Sequence, residues 1–456
     1  MEKTVASLRL CFVIQIVKKE QSKMKQHMRT ILEMKSFLLL WLTQSLSSLG
    51  SAMTSYALVI WAYQQQGSAL HSALLMVCSY APYVLLSVFA GALSDRWDKR
   101  KTMLACDACA AVCSLVVLLL LSANMLKLWH LYALNAVNGL MNTVQQPASE
   151  VAVTALLPKK HYQRVGGLRY LSNSCNTILT PVIATALMGL FGIRLVILAD
   201  LSTFLLAFMA LLIFIRLPKL GTENKTESFG QSVRKGFGYL KKNRGIFDLI
   251  LFLAGINLVA SMFNAAFAPM MLSRANAGEK ALGFMNAFTG VVMLTGSIAA
   301  SLVKEPKSRV RVIYVSLFLS MSTENFFLAF GKSLPVWCIG AFLGWITIPL
   351  MNANLDAVMR LNIPIDIQGR VFAARNSFQF FTIPLGYFFG GFAVDRIFEP
   401  LMRRQSPESL PAILFGFGKG SGAACFFAVL GILGVLICLL FRNDQHIWTL
   451  ERQDGE

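Results

Sequence analysis

In a chain of 456 residues, 55% of side chains are hydrophobic, only 14% are charged and the mean hydropathy is +0.58. So few charges cannot clothe a water-soluble body of this size, which excludes a soluble enzyme or binding domain. The formal net charge of +19 would point to nucleic acid in a soluble protein, but here it lies between apolar runs and reads as a membrane topology signal, with no nucleic-acid partner.

Residues 1–35 form a basic segment whose one apolar patch, Leu10 to Val17, is too short to span a bilayer. No small-residue cleavage site follows it, so it is not a signal peptide, and Met24, Met28 and Met34 are each candidate starts. The segment need not belong to the true product, and no function is placed there.

Twelve apolar runs then reach the roughly 20 residues needed to cross a hydrocarbon core. They cover residues 36–62, 71–93, 102–124, 129–156, 168–191, 194–216, 246–272, 281–303, 310–331, 334–359, 370–395 and 421–441. Lys and Arg are distributed unevenly among the alternate connections. The set that includes both ends of the chain holds 33 of the 42, which places both termini in the cytoplasm. The longest connection, 217–245, divides the runs into bundles at 36–216 and 246–441, followed by a tail at 442–456. That linker is basic. Phe229, Val233, Phe237 and Tyr239 fit a helix lying on the membrane, and a solvated linker fits equally.

Span 1 carries Gln44, Ser47 and Ser51. After span 2 comes Gly91-Ala-Leu-Ser-Asp95-Arg96-Trp-Asp98-Lys99-Arg100-Lys101. A glycine there lets two helices approach closely, and Asp95 can accept from a neighbouring helix N-terminus, where partial positive charge collects. This stretch resembles the major facilitator signature, except that Asp98 stands where the family has glycine. The resemblance implies that Asp95, Arg96 and Arg100 lock two six-helix halves in an outward-facing state.

Span 3 has Cys106, Cys109 and Cys113 on one face, read as a packing face in preference to a soft-metal site. Asp107, about five residues into that span, is expected to pair with the basic turn at Arg96 to Lys101. Span 4 presents Asn135, Asn138, Asn142 and Gln145 at helical spacing. Polar side chains are costly against lipid, so this stripe faces either a substrate cavity or a neighbouring helix, as do Asn257, Ser261 and Asn264 of span 7 and Asn376, Gln379 and Thr382 of span 11. Span 5 has Thr180-Pro181 in place of the glycine-proline signature of antiporters, and Asp200 lies towards the outer end of span 6.

An internal repeat links the halves. Glu150, Pro158, Arg164 and Arg169 recur as Asp356, Pro364, Arg370 and Arg375, each pair 206 positions apart. The repeated unit is a carboxylate near a helix end, a proline that stops the helix, and two arginines opening the next. These groups form either a cytoplasmic gate or a set of positive anchors facing headgroups. The run Leu134 to Glu150, with Pro158 and Arg164 to Arg169, resembles bacterial facilitators of the macrolide-efflux and enterobactin-exporter group, which implies export across a bacterial plasma membrane.

Proton antiport needs a carboxyl group that titrates within the membrane, and the candidates are Glu324, fourteen residues into span 9, and Asp107. No phosphate-binding loop, Ser-His-Asp set or metal-ligand cluster stands out, so neither an enzyme nor a cofactor is expected. The reading is an all-α integral membrane protein with twelve transmembrane helices in two six-helix bundles. It would act as a monomer in the lipid bilayer, exporting a small amphipathic molecule by rocker-switch alternating access, with the proton as coupling ion. An importer or uniporter on the same fold, or a non-transporting receptor or scaffold, are the alternatives.

Overall fold

The structure is a computed structural model that describes residues 34–156, 162–215, 238–274, 277–303, 306–364 and 368–451. The described chain is almost wholly helical: α1 (Lys35–Gln66), α2 (Ala69–Arg96), α3 (Lys99–Ser122), α4 (Leu128–Leu156), α5 (Tyr162–Phe191), α6 (Ile193–Ile213), α7 (Arg244–Ser273), α8 (Glu279–Leu302), α9 (Arg309–Phe330), α10 (Leu334–Trp345), α11 (Ile348–Asn362) and α12 (Gln368–Ala393). A π-helical turn, Val394–Phe398, leads into short helices α13 (Glu399–Arg403) and α14 (Leu410–Phe415), then α15 (Ser421–Arg442) and α16 (Gln445–Thr449). Residues 1–33 and the linker as far as Phe237, with three of the four residues of its candidate amphipathic segment, lie outside the described residues; the fourth, Tyr239, donates to the Asn362 carbonyl at 2.9 Å.

Among the described residues, nine segments are long and apolar enough to cross a membrane. The remaining long helices, α1, α4 and α12, have 32, 29 and 26 residues, ample for a crossing, and they carry the polar residues that sequence places in the bilayer. Tenth in order, the apolar run from 334 to 359 is two helices and not one. Pro349 has no N–H to give to a carbonyl one turn back, and the helix breaks at Ile346–Thr347 just before it.

Helices α1 to α6 pack on one another, as do α7 to α15. The two groups meet along α2 with α12 and α5 with α8. α12 therefore runs along α2 on one side and α7 on the other, a seam helix between the two groups. The deepest core belongs to the second group, around Trp337, Phe427, Ile246 and Met270. At its edge Arg274 donates to the Gly331 and Phe415 carbonyls at 2.8 and 2.7 Å and lies over the Trp337 ring, which ties three connections together.

The tail is docked, not free. Ile447 and Leu450 are buried, Asn362 donates to the Leu450 carbonyl, and Glu451 caps α9 by accepting from Val310 N (2.7 Å) and Ser308 Oγ (2.5 Å).

Candidate functional site

Three helices of the first group converge on a single carboxylate. Asp107 of α3, 6% exposed, accepts from Gln44 Nε2 of α1 at 3.1 Å and from Gln145 Nε2 of α4 at 2.5 Å. Two residues expected in the cavity thus meet one expected to carry the proton. The expected pairing of Asp107 with the basic turn is corrected. α3 begins at Lys99, which puts Asp107 eight residues in, about 12 Å along the axis, and turned into the bundle. The turn's own Arg100 reaches the Leu211 and Leu212 carbonyls at the end of α6, where the C-terminus of a helix favours a cation. Asp98 is extended, with φ −62°, and accepts from Lys101 N at 2.9 Å as the N-cap of α3. The departure from glycine is therefore without strain.

A second buried carboxylate lies higher in the same group. Asp200, 3% exposed, accepts from Ser51 Oγ of α1 at 3.1 Å and Ser114 Oγ of α3 at 3.0 Å. Gly50 makes room for it, since a Cβ there would lie 3.0 Å from the Asp200 carboxylate and run into Thr203 Oγ1. Sequence reasoning located Asp200 but not this hub, for which the hydroxyls on facing helices are the signal.

The other expected cavity residues divide by exposure. Asn142 and Asn264 are exposed and Asn257 is half-buried; Asn135 turns back to its own helix at the Leu131 carbonyl, and Asn138 Oδ1 is buried without a partner. Glu324 is 7% exposed and accepts from Trp345 Nε1 at 2.7 Å between α9 and α10, where Gly344 admits it and Gly340 makes room for the neighbouring Phe327. Of the repeated acid-base set, Asp356 of α11 and Arg375 of α12 form an ion pair at 3.7 Å, with Asp356 51% exposed. The side chains of Gly91, Asp95, Arg96, Glu150, Arg164, Arg169, Arg370, Asn376 and Gln379 lie outside those described.

At the end of the bundle far from the termini, the two groups are joined by polar contacts that sequence reasoning missed. Tyr63 OH donates to Ser273 Oγ at 3.1 Å, Gln64 donates to Glu279, and Asp395 accepts from Ser68 Oγ, Ala69 N and Leu70 N at 2.5, 2.9 and 2.8 Å. Beside them Glu399 accepts from Gly420 N at 3.0 Å; burial pushes its carboxyl up from the ordinary value, against the pull of that bond and of Ala423 N.

Known proteins share this build. The chain is 23% identical to macrolide efflux protein A of Streptococcus pyogenes over 366 residues, 79% of this chain and 90% of that one. It is 23% identical to the protein of the same name from Enterococcus faecalis over 312 residues, 67% and 96% of the two chains. Among solved structures, a bacterial homologue of the human lysosomal transporter Spinster, in an inward-facing and unoccupied conformation, superposes with TM-score 0.66 at 14% identity, covering 92% of this chain and 97% of that one. The nucleoside transporter NupG superposes with TM-score 0.65 at 13% identity, over 88% and 98%. The family model described as Major Facilitator Superfamily matches residues 40–387. With two helix groups meeting along two seams and that match spanning most of its length, this multi-pass membrane protein belongs to the Major Facilitator Superfamily of transporters.

Proposed function

We propose that the protein exports small amphipathic molecules of macrolide-like character across a bacterial plasma membrane, in exchange for protons, with both termini cytoplasmic. Direction and substrate class follow the macrolide efflux relatives and the excess of Lys and Arg on the side of the termini. On that orientation the joined far end faces outward, and the halves rock about the α2–α12 and α5–α8 seams. Substrate is met by the exposed Asn142 and Asn264 in a largely apolar cavity.

The observation that carries the coupling is the Gln44–Asp107–Gln145 cluster. A proton taken up by Asp107 removes the charge that holds the two amides and weakens both bonds, while its release restores the charge-assisted cluster and favours the other state. Glu324, sealed between α9 and α10, acts as a packing group of the second half. Asp356 and Arg375, paired within the second group, line the inner mouth with Glu150, Arg164, Arg169 and Arg370, and the Asp95 motif holds the halves there when the outer side is open. The test is uptake of a radiolabelled macrolide and a fluorescent lipophilic cation into inverted vesicles, with and without an imposed proton gradient. Gradient-dependent accumulation is expected; accumulation that ignores the gradient removes antiport, and uptake only in right-side-out vesicles reverses the direction.

A further inference from the structure

The N-terminus of α2 is capped from the opposite half of the molecule. A helix start leaves its first amides without partners. Here the Ala69 and Leu70 amides go to the Asp395 carboxylate, which also accepts from Ser68 Oγ, and the His71 amide goes to Ser68 Oγ at 3.2 Å. Asp395 follows directly on α12, more than 320 residues further along the chain. The approach that brings it there needs Gly391, since a Cβ at that position would lie 2.7 Å from Leu70 Cα and 2.9 Å from Ala73 Cβ.

The segment that does this is Gly391-Phe-Ala-Val-Asp395-Arg396, and its pattern is that of Gly91-Ala-Leu-Ser-Asp95-Arg96: a glycine, three residues, then Asp-Arg. Each counterpart lies 300 positions on, so the match is not a by-product of the 206-residue repeat that relates the halves. The two copies end the two helices of one antiparallel pair. The first closes α2 at the inner end, where α12 begins, and the second follows α12 at the outer end, where α2 begins.

We propose that Gly391 and Asp395 form a second, outer copy of the family's conformational motif, holding α2 against α12 while the outer side is closed. The proposal rests on the reading that the halves rock. The α2 N-terminus concentrates partial positive charge, and Asp395 meets it with a full negative charge. When the outer ends part, water replaces the carboxylate at the Ala69 and Leu70 amides, and the inner copy at Asp95 takes over at the other end of the same pair. The seam thus carries one latch at each end, and engagement of either disfavours the other.

Hydrogen–deuterium exchange on the full chain in lipid nanodiscs tests this without any substrate, so its result stands apart from the drug-export reading. In Asp395→Ala, exchange at the amides of 69–71 is expected to rise roughly five- to tenfold, the population change that loss of one cap produces. Exchange at 91–96 and 368–375 is expected to fall at the same time, as molecules move to the outward-open state. A rise confined to 69–71 with the inner ends unchanged marks a local cap and overturns the proposal, as does a rise spread evenly over the whole second half. Should Asp395→Ala fail to fold, Ser68→Ala removes one donor, leaves the carboxylate, and must give the same reciprocal pattern at smaller amplitude.

Discussion

Asp107→Asn separates the titration of this side chain from its packing. The substitution keeps the volume of the side chain and, after one amide rotates, both hydrogen bonds to Gln44 and Gln145. Each bond to a charged acceptor is worth about 1.5–3 kcal/mol and each neutral one about 0.5–1.5 kcal/mol, so up to about 3 kcal/mol is lost. Against that, the buried site no longer holds a charge, a term of similar size and opposite sign. The net is about 1–2 kcal/mol in either direction, a shift of roughly 1–2 °C in melting temperature for a chain of 456 residues. Transport responds differently. With no proton to gain or lose at position 107, the proton gradient no longer drives accumulation in inverted vesicles, while equilibrium exchange of labelled for unlabelled substrate persists. Full gradient stimulation in a folded Asp107→Asn protein would refute the coupling role, leaving the cluster as a structural tie between α1, α3 and α4.

Gly344→Val places a Cβ 2.7 Å from Glu324 Cβ and forces α9 from α10, for a cost of about 1–3 kcal/mol; thermal unfolding in detergent should show it, and an unchanged melting temperature would contradict this packing. Ending the chain after Arg442 strips Ile447, Leu450 and the Glu451 cap from the second half, a loss of about 4–8 kcal/mol from two apolar side chains and one cap. Faster amide exchange at the start of α9 is the specific sign of it. Glu399 binds its proton more tightly in the folded protein than in the unfolded chain. Its contribution to stability therefore falls as pH rises through the window just above the ordinary glutamate value of 4.5. A melting curve against pH should be flatter there in Glu399→Gln, and an identical slope would mean that the carboxyl is not the source.

Helices were legible because lipid demands it: an unbroken apolar run of some 20 residues has few other uses, and the excess of Lys and Arg orders the turns. The break in the tenth run had a visible signal in Pro349, outweighed by the apolar residues on either side. Side-chain pairing was not legible in the same way. Asp107 is 63 residues from Gln44 and 38 from Gln145, and only the rotation of three helices about their axes brings them together. Counting residues from the apolar run put it about five residues in, short of the eight that the helix start at Lys99 gives, and missed its direction. The far-end contacts of Asp395, Tyr63 and Gln64 were harder still. Each joins a residue of one half to a residue more than 200 positions away in the other, across a seam that no hydrophobic period records.

Asp98 bears on how such chains are recognised. Because the residue there has a negative φ and its side chain caps α3, the position selects for short acceptors of the Asp, Asn, Ser and Thr kind. A search pattern that insists on glycine at this point passes over every relative that begins its third helix in the same way. A pattern that admits the capping set gathers them, and substitutions in such a lineage are expected to move among those four residues.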